Sequence, residues 1–336
     1  METILFIPFI ISFFITFLAI PAWIKRAKKA ELVGKDMNKY EKPNVAEAGG
    51  VVVMLGFVIA VCLYIAMKTF YFKTSENLPE IFAIISSLSI ISFIGIIDDI
   101  LGWKIGLSKR VRLFLILFGA VPLMVINAGN SLINIPFLNG LNFWLIYPLI
   151  LIPIGIVGAS TGFNFLAGYN GLEAGQGIII LGALSFVSYF AGITWLALIG
   201  LCMVFSLLAF WIFNKYPAKV FPGDVITYPI GAMIAIMAIF GNMEKIAVLF
   251  FIPYILEVIL KSRGKLKKES FGKPNKDGSL EMPYRKIYGL EHTAIWLLKK
   301  IKPSKKVYEK DVVYFIYGLQ IFVILLVLLI FKNSLF

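Results

Sequence analysis

The chain is predicted to fold as an all-α polytopic membrane protein of about ten transmembrane helices, with both termini outside and its polar loops on the cytosolic face. Hydrophobic residues fill 60% of the 336 positions, more apolar surface than a soluble domain of this length can hide. Ten apolar stretches approach the roughly 20 residues that cross a bilayer at helical rise: residues 3–23, 49–67, 79–97, 113–127, 143–161, 175–192, 194–213, 225–241, 245–260 and 311–331. The loops after spans one, three, five, seven and nine carry 7, 4, 0, 2 and 15 Lys or Arg residues, and everything else carries 4. The positive-inside rule places those loops in the cytosol. One membrane domain, residues 1–336, fills the chain, with no short-period repeat.

A formal charge of +13 would suggest nucleic acid in a soluble protein. Most of it lies in two loops flanking spans, where it reads as a topology determinant and a contact for anionic membrane lipid, with no nucleic-acid partner. Cys62 and Cys202 sit in apolar spans without metal-ligand spacing and read as small buried hydrophobes.

Span one lacks a basic region ahead of it, follows Glu2, and is trailed by Lys25, Arg26, Lys28 and Lys29, so it reads as an N-out span and not a cleaved signal peptide. Glu47 lies in Pro43 to Gly50, at the entrance to span two, and is open to a structural or a ligand role. Span three closes on Asp98-Asp99, followed by Lys104, Lys109, Arg110 and Arg112. Carboxylates at a helix C-terminus oppose the macrodipole, so a cation belongs nearby. Mg²⁺ held with substrate phosphates is one answer; a solvated pair neutralised by its basic neighbours is the other. Between spans four and five, Leu132 to Ile135 alternates and Asn139-Gly140 is a turn signal, giving either a short outer hairpin or an irregular loop.

The loop after span five holds Asn164 and the run Asn170-Gly171-Leu172-Glu173-Ala174-Gly175-Gln176-Gly177 without any Lys or Arg. Amides can coordinate a cation or read a base; Asn170 and Glu173 could equally cap span six. Span eight is preceded by Phe221-Pro222-Gly223-Asp224, where an N-cap explains Asp224 taken alone. Its place on the same face as Asp98 and Asp99 strengthens the metal reading, because clustered acids need a counter-cation. Glu257 lies toward the cytosolic end of span nine, and span ten closes the chain. Between them, the loop from Lys261 to Lys310 contains His292, the single histidine, and an apolar pattern from Thr293 to Ile301 that predicts an interfacial amphipathic helix.

These motifs, in this order, resemble the polyprenyl-phosphate N-acetylhexosamine-1-phosphate transferase family. The specific parts are Asp98-Asp99, the run from Asn164 to Gln176, and Gly223-Asp224, with the asparagine run most similar to the eukaryotic and archaeal dolichyl-phosphate branch. The resemblance implies transfer of GlcNAc-1-phosphate from a UDP-sugar donor, UDP-GlcNAc, to a polyprenyl or dolichyl phosphate, releasing UMP with Mg²⁺ (Mn²⁺ as a substitute) and starting lipid-linked glycan assembly. It implies that Asp224 and Asn164 ligate the metal and that Asp98 and Asp99 stand at the attacking phosphate. Arg112 would meet phosphate, with Lys109 as a nearby substitute; Asn170 would contact the uracil. Glu173 belongs to the same substrate-binding run, and Glu47 and His292 would lie near the sugar or pyrophosphate. The sequence departs from the family at Glu291-His292-Thr293, where the bacterial branch has several histidines and the eukaryotic one arginine-histidine-arginine, so the muramyl-pentapeptide substrate is not expected. The implied location is the cell membrane, or the endoplasmic reticulum membrane in a eukaryote; a homodimer is left open.

A phosphomonoester is mostly dianionic at neutral pH, so a lipid phosphate needs little help from a base. The expected chemistry is in-line attack supported by positioning and electrostatics. The rival class is a transporter or ion channel using the acidic cluster.

Overall fold

The structure, a computed structural model, describes residues 3–102, 106–135 and 138–332. Helix lies within each of the ten predicted segments, but among the described residues seven helices, not ten, are long and apolar enough to cross a membrane: Ile7–Lys29, Gly50–Tyr71, Leu78–Leu101, Tyr147–Phe165, Leu172–Phe190, Thr194–Asn214 and Glu309–Ile330. In chain order the α-helices are α1 (Ile7–Lys29), α2 (Gly50–Ala66), α3 (Leu78–Leu101), α4 (Lys109–Phe118), α5 (Val121–Val125), α6 (Ile152–Phe165), α7 (Leu172–Phe190), α8 (Thr194–Asn214), α9 (Asp224–Phe240), α10 (Glu244–Phe250), α11 (Ile252–Ser262), α12 (Leu290–Ile301) and α13 (Glu309–Ile330).

Two of the ten segments are broken helices. Predicted span four is α4 followed by α5, and predicted span nine is α10 followed by α11. Each second half starts on a proline in its first turn, Pro122 and Pro253, where the missing N–H and the ring's clash with the preceding turn stop the upstream helix. The remaining short segment, α9, has 17 residues. Every one of its residues from Val225 to Ile239 is buried, as expected of a helix apolar on all sides. It is the axis of the bundle, packed by α2, α3, α6, α7, α8 and α10.

Among the described residues, three small antiparallel strand pairs depart from a purely helical chain. β1 (Val33–Lys35) pairs with β2 (Asn44–Ala46), β3 (Leu132–Ile135) with β4 (Leu138–Asn142), and β5 (Lys273–Pro274) with β6 (Leu280–Glu281). The β3–β4 pairing favours the hairpin over the irregular loop for this connection, and Asn139-Gly140 lies within β4. The amphipathic helix of the last loop is α12. Its Ala294 and Ile295 are buried while Trp296 and Ile301 stay exposed, and Lys299 and Lys300 occupy the last turn, where cations suit the macrodipole.

Candidate active site

The acidic motifs meet at one end of α9. Gly95, one turn before Asp98, lets α3 lie directly on the start of α9: a Cβ there would stand 2.4 Å from the Asp224 carbonyl oxygen. Asp99 then reaches the N-terminus of α9, accepting the Asp224 N–H at 2.8 Å and the Val225 N–H at 3.1 Å. This answers the electrostatic problem at the end of α3, since the positive end of one helix takes the carboxylate that the negative end of another disfavours. It also corrects the N-cap reading of Asp224: Gly223 is the N-cap residue, Asp224 is the first helical residue, and Asp99 satisfies the helix end from another span. Gly223 has φ +72°, and a side chain there would meet Asp99 Oδ2 at 2.2 Å, so only glycine fits the turn.

Asp98 is also engaged. Its Oδ1 accepts the Leu107 N–H at 2.7 Å and its Oδ2 pairs with Arg112 Nη2 at 2.6 Å. The same guanidinium stands 3.7 Å from Asp224 Oδ2. On the other side, Asn164 at the end of α6 donates to Asp224 Oδ1 at 2.9 Å. Thus Asp98, Asp99, Asp224, Arg112 and Asn164 form one cluster drawn from α3, α4, α6 and α9. Among the described residues no group of three His, Cys, Asp or Glu side chains could hold a metal. The Asp224 carboxylate and the oxygen of the Asn164 amide, whose nitrogen donates to Asp224, could supply hard oxygen donors of the kind Mg²⁺ takes beside phosphates and water.

Glu47 is brought beside this cluster by the backbone. Ala46 bridges Val220 in parallel, Phe221 N–H donates to the Ala46 carbonyl at 2.7 Å, and the Gly49 and Gly50 N–H groups donate to the Phe221 and Pro222 carbonyls at 2.9 Å each. Burial, with Asp224 nearby as a smaller contribution, pushes the Glu47 carboxyl up to about 7.

The other predicted site residues are placed differently. Asn170 is buried, its Nδ2 donating to Asp36 at 3.1 Å and its Oδ1 accepting the Ala218 N–H at 2.8 Å, so both ends of the amide are turned into the protein. Glu173 does not cap α7; its side chain accepts the Gly168 N–H at 2.9 Å and braces the loop ahead of the helix. Lys109 is exposed and donates to the Leu266 carbonyl at 2.8 Å, tying α4 to the long loop and standing apart from the carboxylates. His292 is fully buried, its Nδ1 accepting the Tyr288 N–H at 3.3 Å and its ring 5.6 Å from that of Tyr284.

Burial and the positive charge of Lys261 lower the His292 pKa from 6.5 to about 4. Between those values the unfolded chain binds a proton that the folded chain refuses, so this residue makes stability fall as pH drops from 6.5 toward 4. His292→Gln is expected to remove that part of the slope, read from thermal melts of the purified protein across this window.

Sequence reasoning missed the residues that hold the loop after α6. Asn38 donates to the Gly168 carbonyl at 2.8 Å and accepts the Gly272 N–H at 3.1 Å. Lys39 pairs with Asp36 and with Glu309, and Glu309 accepts the Asn170 N–H at 2.7 Å. The available signal was an acid and an amide, Asp36 and Asn38, set inside a basic loop, together with an acid opening the last span.

Comparisons with known proteins place the chain in one family. Residues 81–242 match the family model described as glycosyl transferase family 4. A Saccharolobus solfataricus protein provisionally named UDP-N-acetylglucosamine–dolichyl-phosphate N-acetylglucosaminephosphotransferase is 40% identical over 96% of this chain and 96% of its own length. A Dictyostelium discoideum protein of that name is 28% identical, over 73% of this chain and 68% of the relative. A Streptococcus pyogenes phospho-N-acetylmuramoyl-pentapeptide-transferase is 34% identical over 78% of this chain and 82% of the relative. With the helical bundle and an acidic cluster at one end of it, these relationships show that the chain belongs to the polyprenyl-phosphate N-acetylhexosamine-1-phosphate transferases, a family of membrane enzymes.

Proposed function

We propose that the protein transfers GlcNAc-1-phosphate from UDP-GlcNAc to a polyprenyl phosphate of the dolichyl type, releasing UMP. A phosphate oxygen of the lipid attacks the β-phosphorus of the donor; the new P–O bond forms as the bond from that phosphorus to the bridging oxygen breaks, and UMP leaves with the electron pair. The observation that carries this reading is the convergence on Asp224 of Asp99 at its backbone N–H, Asn164 at its carboxylate and the Arg112 guanidinium, which also pairs with Asp98. Asp224 and Asn164 would hold Mg²⁺ or Mn²⁺, which supplies charge neutralisation between the two phosphates. Arg112 orients a phosphate oxygen beside Asp98, and Asp99 keeps the end of α9 in place. The transporter alternative has less support, because this acidic cluster sits at helix ends and not at mid-bundle.

A groove beside this site suits the lipid tail. An apolar groove of about 540 Å³ runs along α6, α9 and α11, lined by Gly155, Gly158, Gly162, Ala238, Phe251 and Ile255 among others. It reaches from Tyr147 and Glu244 at one end to Gly162, two residues from Asn164. Apolar, open-sided clefts of this size suit a chain of isoprene units. Gly158 faces open space, so Gly158→Leu is expected to raise KM for the lipid phosphate severalfold and leave KM for UDP-GlcNAc unchanged.

The function is tested with purified protein, UDP-GlcNAc and a polyprenyl phosphate. The expected products are a lipid-linked pyrophosphate sugar and UMP, formed only with Mg²⁺ or Mn²⁺. Turnover in excess chelator would remove the metal from the proposal, and failure with every UDP-amino sugar would remove the transferase reading. The proposed orientation puts the site in the cytosol. With the native cysteines replaced, a cysteine at Lys268 should label only from the cytosolic side and one at Gly129 only from outside.

A further inference from the structure

The last turn of α6 carries Asn164, yet the residue that follows the helix, Leu166, has φ −92° and ψ 79°, and among the described residues no backbone N–H closes the turn. Its C-terminal carbonyls therefore need a partner from elsewhere. Lys261, on α11, donates to the Phe165 carbonyl and lies 5.7 Å from the centre of the Phe165 ring. One turn earlier, Glu257 pairs with Lys261 at 3.1 Å and accepts the Leu290 N–H, at the start of α12, at 2.5 Å. Glu257 is fully buried and Lys261 nearly so. This pair thus joins three helices: the one with Asn164, its own, and the one with His292.

A buried ion pair is weak evidence for stability, because desolvation offsets most of the attraction. What such a pair does supply here is direction. The ammonium sits at the negative end of α6, and the turn it fixes is the one from which Asn164 reaches Asp224. We propose that Lys261 and Glu257 are positioning residues of the active site, holding the last turn of α6 so that Asn164 stays against Asp224 and binding α12 to the same turn. The proposal rests on the transferase reading for its kinetic consequence, and on geometry alone for its structural one.

The experiment uses the full chain in detergent. Lys261→Met, Lys261→Arg, Glu257→Gln and Asn164→Ala are compared in two measurements: transfer kinetics, and amide hydrogen exchange of peptides covering residues 164–171. Since displacing a contact by about 1 Å costs on the order of a hundredfold in rate, Lys261→Met is expected to lower kcat about tenfold or more, with KM for the lipid phosphate little changed. Lys261→Arg should recover most of that loss. In the Asn164→Ala background Lys261→Met should add little, because residues acting through one contact are not additive. Exchange across residues 164–171 should rise in Lys261→Met and remain unchanged in α8. Equal losses in both backgrounds, or unaltered exchange of that segment, would overturn the proposal. Should Lys261→Met fail to insert, Glu257→Gln is read by the same two criteria. A wild-type chain without transferase activity would remove the proposed function, while the exchange measurement would still decide whether the brace exists.

Discussion

Asp224→Asn is expected to lower turnover roughly a hundredfold or more, the usual cost of removing a charge-assisted contact that strengthens in the transition state. The protein should still insert, purify and melt close to the wild type. Asp224 does not cap its own helix, because Asp99 already accepts the N–H groups of Asp224 and Val225, and an Asn side chain keeps the shape and can still accept from Asn164. Steady-state kinetics over a Mg²⁺ titration should show both the lower rate and a higher metal requirement. Near-normal turnover would mean that this carboxylate belongs to the architecture of α9 only. Asp99→Asn makes the contrast: the two N–H groups lose a charged acceptor at a helix N-terminus, an effect on the order of 1 kcal/mol, so its melting temperature should fall where that of Asp224→Asn does not.

Gly95→Val is expected to have the largest effect on fold and activity together. The added Cβ would approach the Asp224 carbonyl oxygen at 2.4 Å and the Val225 nitrogen at 2.5 Å, and backbone cannot rotate aside as a side chain can. Overpacking of this kind costs roughly 1–3 kcal/mol or more. The damage also falls on the site, since α3 can relieve the clash only by moving Asp98 and Asp99 away from α9. A melting temperature several degrees lower and a loss of most turnover are expected, with Gly95→Ala already impaired. Gly182→Val is the control: a Cβ on Gly182 of α7 meets nothing within 4 Å, and both stability and activity should be retained. Equal behaviour of the two valine variants would show that the close approach of α3 and α9 is not what assembles the site.

The segments and the site differ in how far they could be read from residues alone. Helix positions were legible because a bilayer-crossing helix needs a long apolar run, and ten such runs stand out along the chain. The breaks at Pro122 and Pro253 were marked by local residues as well. Lys109 and Arg112 were indistinguishable by type and proximity, yet only Arg112 turns toward Asp98; Lys109 spends its ammonium on Leu266, far away in the chain. Asn170 and Asn164 looked equivalent as amides, but one is locked between Asp36 and Ala218 and the other faces Asp224.

Amino-acid order by itself determined the membrane class, the helical segments, the family, and the acidic and amide residues that gather at one end of the bundle, because hydropathy, charge asymmetry and short motifs are local properties. Tertiary structure alone decided their division of labour. Asp99 serves the N-terminus of a helix 125 positions away, Asp224 is released from capping by that contact, and Lys261 closes a turn 96 positions before it. Each of these roles depends on where a dipole end or an orphaned carbonyl lies in space, and no local pattern encodes which distant side chain will reach it.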